Sequence, residues 1–227
     1  MIKLIVFDLD NTLAPLGGPI APADLARLQD IENAGTRIAV CSGKPLYYLC
    51  GFFRQASLKC PILIGENGAV VQTGVSLPPA DYSVVDADTG SAHALRSLKS
   101  AIQEAIPDLW FQPNEVMLTP FPRNDREFEQ IADILASHPE ELAHVDVYRH
   151  IDSFDISPKG ITKASGIRHI AKMLGITPDE ILAVGDGPND YPMFEYAGSS
   201  IGINIGRPEK VTWNVGSIAE ALELIPR

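Results

Sequence analysis

The segment Leu4–Leu9 narrows the fold more than any other part of the chain. It is apolar up to Asp8, too short for a helix and rich in strand formers. A strand without polar alternation is covered on both faces, and such strands belong to parallel sheets flanked by helices. The neighbouring sequence continues the theme. Leu25, Leu28 and Ile31 recur at helical spacing within Ala23–Ala34, which Gly35 ends. Arg37–Cys41 is a second buried strand, a helix is expected over Leu46–Gln55, and Pro61–Gly65 is a third strand. Strand, helix, strand, helix, strand implies a parallel sheet with crossover connections.

Near Leu77-Pro78-Pro79 the pattern changes. Helices are expected over Ser91–Ile106 and Arg126–Ala136. Strand pairs are expected at Trp110–Gln112 with Val116–Thr119, and at Val145–Arg149 with Ser153–Ile156. Helices mixed with hairpins describe an α+β insert. From Lys163 the first pattern returns. Ala164–Leu174 is a helix ended by Gly175, and Ile181–Val184 is a strand. A short helix covers Met193–Ala197, Ser200–Ile203 is another strand, and Ser217 caps a last helix reaching Leu224. The expected organisation is a parallel α/β core at 1–78 and 157–227, interrupted by an α+β domain at 79–156, a size usual for a small domain.

The formal net charge is -11, from 18 basic and 29 acidic residues. That balance disfavours nucleic acid and anionic membrane surfaces as partners, but a few local cations can still admit a small anionic substrate. Cys41, Cys50 and Cys60 match neither a zinc spacing nor a disulfide framework, which suits a reducing cytoplasm. No apolar run reaches the roughly 18 residues of a membrane span. The N-terminal apolar run stops at Asp8 and lacks the cleavage site of a signal peptide.

Four polar segments follow expected core strands or return the chain to them, at the sheet edge where open α/β sheets bind ligands. Asp8-Leu9-Asp10-Asn11-Thr12 places two carboxylates one residue apart. Crowded acids are costly without a cation nearby. With magnesium present, one can attack phosphorus and the other can move protons to and from oxygen. Ser42-Gly43-Lys44 offers a hydroxyl, a flexible glycine and a cation to a phosphate oxygen. Lys159 and Lys163 compete to supply an ammonium beside the nucleophile, and Lys163 is the better placed because it starts the returning helix. Gly185-Asp186-Gly187-Pro188-Asn189-Asp190 carries the oxygen ligands a hard cation requires. Each segment alone also describes an ordinary turn; their joint position at one edge is what points to chemistry.

These residues resemble the haloacid dehalogenase superfamily of phosphatases, across the whole core. Asp8–Thr12 matches its first motif, Ser42 its second, Lys163 its third and Gly185–Asp190 its fourth. The resemblance implies a Rossmann-like core with an inserted cap. It implies Asp8 as nucleophile, Asp10 as general acid/base and Lys163 as the fixed cation. It also implies Mg2+ held by the Asp8 carboxylate, the Asp10 main-chain oxygen and Asp186, with Asp190 assisting, while Ser42, Gly43, Lys44 and Asn189 bind phosphate. Asp10 favours phosphatase over dehalogenase chemistry.

The insert lies between the second and third motifs, as in the Cof-like type IIB branch, and Glu66-Asn67-Gly68-Ala69 is similar to a segment common there. The length is most similar to archaeal-type phosphoglycolate phosphatases. That branch usually has Gly at Asn11 and Arg at Lys44, and Lys44 lacks the planar fork of an arginine. Cap candidates for substrate contact are Arg123, Tyr148, Arg149 and His150. The expected activity is magnesium-dependent hydrolysis of a small phosphorylated metabolite, phosphoglycolate or a sugar phosphate, in the cytoplasm. A phosphomutase and a non-catalytic magnesium- or phosphoryl-binding module are the alternatives. Monomer and homodimer are both open.

Overall fold

The computed structural model describes residues 1–87 and 89–225. In chain order the elements are β1 (Leu4–Phe7), α1 (Pro22–Asn33), β2 (Arg37–Cys41), α2 (Leu46–Arg54), β3 (Ile62–Gly65), β4 (Val70–Thr73) and β5 (Asp81–Val84). There follow α3 (Thr89–Ala105), β6 (Trp110–Phe111), β7 (Pro120–Phe121), α4 (Asp125–Ala136), α5 (Pro139–Leu142), β8 (Val145–Arg149) and β9 (Phe154–Pro158). The chain closes with α6 (Lys163–Leu174), β10 (Ile181–Gly185), α7 (Tyr191–Tyr196), β11 (Ser199–Ile203), β12 (Trp213–Val215) and α8 (Ile218–Leu224). The chain divides into two compact units, Met1–Val84 with Thr162–Arg227, and Val85–Ile161.

The first unit is built on an eight-stranded sheet in the order β12-β11-β10-β1-β2-β3-β4-β5. The strands from β12 to β3 run parallel, and β4 and β5 add an antiparallel edge. Every residue of β1 and β10 is buried, which is why both read as unbroken apolar runs. Leu28 and Ile31 of α1, Leu49 and Phe53 of α2, and Ile167 and Ile170 of α6 supply the helical side of this core.

Three strands are not visible in the sequence pattern. β4 and β12 are only four and three residues long, and β5 is mostly exposed, so none carries a strong apolar signal. From β1 the chain winds outward through β2 and β3. On its return it lays β10 on the other side of β1 and winds outward through β11 and β12. The carboxyl ends of β1 and β10 flank that reversal, the place where such sheets bind ligands.

The second unit packs α3 and α4 on two short hairpins, β6–β7 and β8–β9. Leu98, Ile102, Phe128, Ile131, Phe154 and Ile156 form the centre of its core, with the Phe128 and Phe154 rings 4.6 Å apart. Asn124 caps α4 by accepting from the Glu127 backbone N–H at 3.0 Å. The strand expected over Val116–Thr119 lies further along, at Pro120–Phe121. Leu118 is instead taken up in a two-way backbone exchange with Ile156, at 3.0 and 2.9 Å, which joins the two hairpins. Among the described residues no helix is long and apolar enough to cross a membrane.

Candidate active site

The loop after β1 continues the ladder by one bond, Asp8 N–H to the Val184 carbonyl at 2.8 Å, and then turns sharply. The Asn11 N–H donates to the Ala14 carbonyl at 2.7 Å and the Ala14 N–H to the Leu9 carbonyl at 3.0 Å. Closing so tight a loop needs a left-handed residue, and Asn11 has φ 59°. Asparagine tolerates that region where most side chains do not. The departure from glycine at this position therefore preserves the turn, and the Asn11 Oδ1 adds a bond from the Leu16 N–H at 3.3 Å. The turn buries Asp8 and Thr12 and leaves Asp10 half-buried.

Lys163, the first residue of α6, is 1% exposed. Its Nζ donates to Asp8 Oδ1 and to Asp190 Oδ1, each at 2.6 Å. Lys159, the competing candidate, sits in the second unit on an exposed pair with Asp146. Burial separates the two lysines in the direction that the place of Lys163 at the start of the returning helix already favours.

Asp190 is fully buried, and its Oδ2 accepts the Asp186 and Gly187 backbone N–H groups at 2.9 Å each. A Cβ on Gly185 would lie 2.4 Å from that oxygen, so only glycine lets the carboxylate fold back on its own loop. Asn189 Oδ1 similarly occupies the space beside Gly187, 2.7 Å from where a Cβ would stand. Asp186 is held by Thr12, whose hydroxyl donates to Asp186 Oδ1 at 3.0 Å. Thr12 thus ties the β1 loop to the β10 loop. Its place in the Asp-x-Asp-x-Thr spacing is the only sequence signal for that role.

Ligand oxygens of Asp8, Asp186 and Asp190 lie within 4.8 Å of one another. Burial is the main reason the Asp8 carboxyl is pushed up to about 7; the ammonium of Lys163 opposes the rise, and the Asp190 and Asp186 charges add to it. Asp186 is also raised, first by burial and then by Asp190. Burial alone would lower Lys163, but Asp190 and Asp8 outweigh it and hold the ammonium charged, above its usual value. Three carboxylates against one ammonium leave two negative charges unbalanced. An all-oxygen donor set with that deficit fits a hard divalent cation such as Mg2+.

Ser42 follows β2 and is buried, with its hydroxyl accepting the Lys44 N–H at 3.3 Å. Lys44 Nζ pairs with Asp10 Oδ2 at 3.0 Å, so the structure brings these two together. Gly43 lies between Ser42 and Lys44, partly exposed. Arg123, Tyr148, Arg149 and His150 all belong to the second unit. Arg123 is held by Glu127 at 2.6 Å, Arg149 by Glu129 at 2.9 Å with its guanidinium over the Phe128 ring, and His150 faces Asp155 at 3.2 Å.

A doubly wound sheet with carboxylates and a buried lysine at its reversal is an α/β core suited to handling phosphoryl groups. The chain belongs to the haloacid dehalogenase-like hydrolase family, which it matches over residues 5–77 and 86–211, and it is an enzyme of the family's phosphatase type. It is 24% identical over 204 residues to a phosphoglycolate phosphatase of Methanococcoides burtonii, covering 89% of this chain and 84% of that one. Its fold is similar to a haloacid dehalogenase-like hydrolase from Bacteroides thetaiotaomicron, with a TM-score of 0.81, 18% identity and coverage of 98% and 99%. It is also similar to the subclass IIB sugar phosphatase BT4131, with a TM-score of 0.72, 20% identity and coverage of 96% and 95%.

Proposed function

We propose that the protein is a magnesium-dependent phosphatase that hydrolyses a small phosphorylated metabolite, phosphoglycolate or a sugar phosphate, through an aspartyl-phosphate. The observation that carries this reading is the buried Asp8 carboxylate, with Lys163 on its Oδ1 and Asp186 and Asp190 beside it. Because Oδ1 is committed to Lys163, Oδ2 is the oxygen that attacks phosphorus. The P–O bond to the leaving group breaks as Asp10 donates a proton to that oxygen. Asp10 then takes a proton from water; the water oxygen bonds to phosphorus and the bond to Asp8 breaks, releasing inorganic phosphate. Ser42, Gly43, Lys44 and Asn189 hold the phosphate oxygens, and Lys44 already sits on Asp10. Lys163 keeps its charge throughout and offsets the negative charge that builds on the transferring group. Mg2+ would be held by the Asp8 and Asp186 carboxylates and the Asp10 main-chain oxygen, with Asp190 assisting, and would supply positive charge to the phosphoryl oxygens.

Relatives named for phosphoglycolate and for sugar phosphates support both substrate classes. Free Cys41, Cys50 and Cys60 support a reducing, cytoplasmic setting. The test is phosphate release from a panel of phosphorylated acids and sugars with Mg2+, beside the Asp8→Asn variant. Turnover on one class and none in the variant is the expected result. Equal turnover in the variant, or phosphate moving between positions of one sugar without release, would overturn it.

A further inference from the structure

The segment Glu66-Asn67-Gly68 is not used by the chemistry above, yet among the described residues it is the longest run of left-handed backbone. Three consecutive residues are left-handed, at φ 53°, 51° and 101°, and all are buried. Single left-handed residues are common at turns, but runs of them that include two side-chain-bearing residues persist only where the surroundings determine them.

Both sides of this turn are pinned. On one side, the Glu66 N–H donates to the Lys44 carbonyl and the Asn67 N–H to the Ser42 carbonyl, each at 3.0 Å. The turn thereby grips the backbone of the phosphate-binding loop at both ends. On the other side, Gly68 lies flush against the start of α6. A Cβ there would fall 2.1 Å from the Thr162 carbonyl oxygen and 3.0 Å from the Gly166 nitrogen. The close approach is mutual, because a Cβ on Gly166 would fall 2.8 Å from the Gly68 Cα and 2.4 Å from the Ile64 Cγ2. Thr162 and Gly166 bracket Lys163, whose ammonium sits on Asp8 and Asp190. One rigid turn therefore touches the Ser42–Lys44 loop on one side and the turn of helix that carries Lys163 on the other.

The geometry points to Glu66-Asn67-Gly68, seated on Gly166, as the spacer that sets the distance between the phosphate-binding loop and Lys163. Gly68 and Gly166 are positioning residues. Neither touches substrate, but with no side chain on either, their backbones meet directly, and this determines how closely two phosphate-holding groups approach. The inference rests on the proposed phosphatase reading, since only there do Ser42–Lys44 and Lys163 serve one phosphoryl group. A methyl at Gly166 forces α6 off the turn. A displacement of the order of 1 Å between positioned groups lowers reaction rates by about 100-fold. The carboxylates of Asp8, Asp186 and Asp190 do not lie where the two backbones meet.

The test compares wild type with Gly166→Ala, measuring kcat, KM, inhibition by orthovanadate and the calorimetric affinity for Mg2+. Expected is a fall in kcat and a weakening of orthovanadate binding of about 100-fold each, with a smaller change in Mg2+ affinity, since Lys163 also touches Asp8 and Asp190. Loss of folded protein alone lowers the number of sites but leaves both affinities unchanged. Asn67→Gly accepts the left-handed backbone without strain and keeps the protein folded if Gly166→Ala does not. It slackens the spacer and is expected to weaken orthovanadate binding by about 10-fold. Wild-type orthovanadate affinity and kcat in every variant that folds would overturn the inference. A wild-type protein that neither turns over phosphate esters nor binds orthovanadate would instead overturn the function on which it rests.

Discussion

Asp8→Asn gives a sharp test because the side chain keeps its shape while losing its charge. Asp8 is held at about 7 against an unperturbed 3.8. Below about pH 4 both folded and unfolded chains carry the proton. Between about pH 4 and pH 7 the unfolded chain has released it and the folded chain keeps it, so stability falls as pH rises and levels off above about 7. At about 1.4 kcal/mol per unit, the ionised Asp8 weighs on the metal-free fold at pH 8 by about 4 kcal/mol. Asparagine imitates the neutral carboxyl at every pH, and its carbonyl still accepts from Lys163. The variant should therefore be the more stable protein at pH 8 in a chelator. For a chain of this size the melting temperature rises by about 2–4 °C per kcal/mol, or about 8–16 °C here. Thermal melts at pH 8 and pH 5 measure it, and the gap should shrink to under half at pH 5. Added Mg2+ should close it from the wild-type side, because only the ionised Asp8 gains a partner. Equal or lower stability of the variant at pH 8, or a gap unchanged with pH, would refute the reasoning.

Two further substitutions probe the same site. Lys163→Met leaves the buried carboxylates without their ammonium, so the metal-free fold should lose about 3–5 kcal/mol, read by denaturant unfolding; kcat should fall by about 100- to 1000-fold, and a near-wild-type rate would count against the lysine's assigned part. Thr12→Val removes the hydroxyl that orients Asp186, so Mg2+ affinity by calorimetry should weaken by about 10-fold, whereas an unchanged affinity would mean that the 3.0 Å bond is incidental.

The central strands and the polar segments that follow them are legible in the sequence because both are local. A buried parallel strand shows as an apolar run, and the first polar residues after it stand at the sheet edge, as Asp8, Ser42 and Asp186 do. What stays hidden depends on distant partners. Nothing near Lys44 in sequence announces that its ammonium meets Asp10, and the place of Lys163 at the start of the returning helix favours it over Lys159 without announcing that the fold buries it. The strand at Pro120–Phe121 is expected too early in the chain because Leu118 looks like a strand residue and is committed instead to Ile156. The β4–β5 edge follows a buried left-handed turn whose partners are residues 42–44 and 162–166, far from it in the chain.

Asp190 shows how little chemical latitude such a buried group has. One of its oxygens receives an ammonium and the other receives two peptide N–H groups, so every hydrogen-bond partner described for it is a donor. Asparagine, the closest match in shape, must turn an amide NH2 toward one of those sides in either rotamer, and each orientation sets donor against donor in a site without solvent. Asp190→Asn should therefore damage the protein more than Asp186→Asn, measured as the loss in thermal midpoint, although both changes remove one charge. The constraint is one of polarity rather than charge: this position requires a side chain that accepts on both sides and donates on neither, and among side chains of this length only aspartate does so.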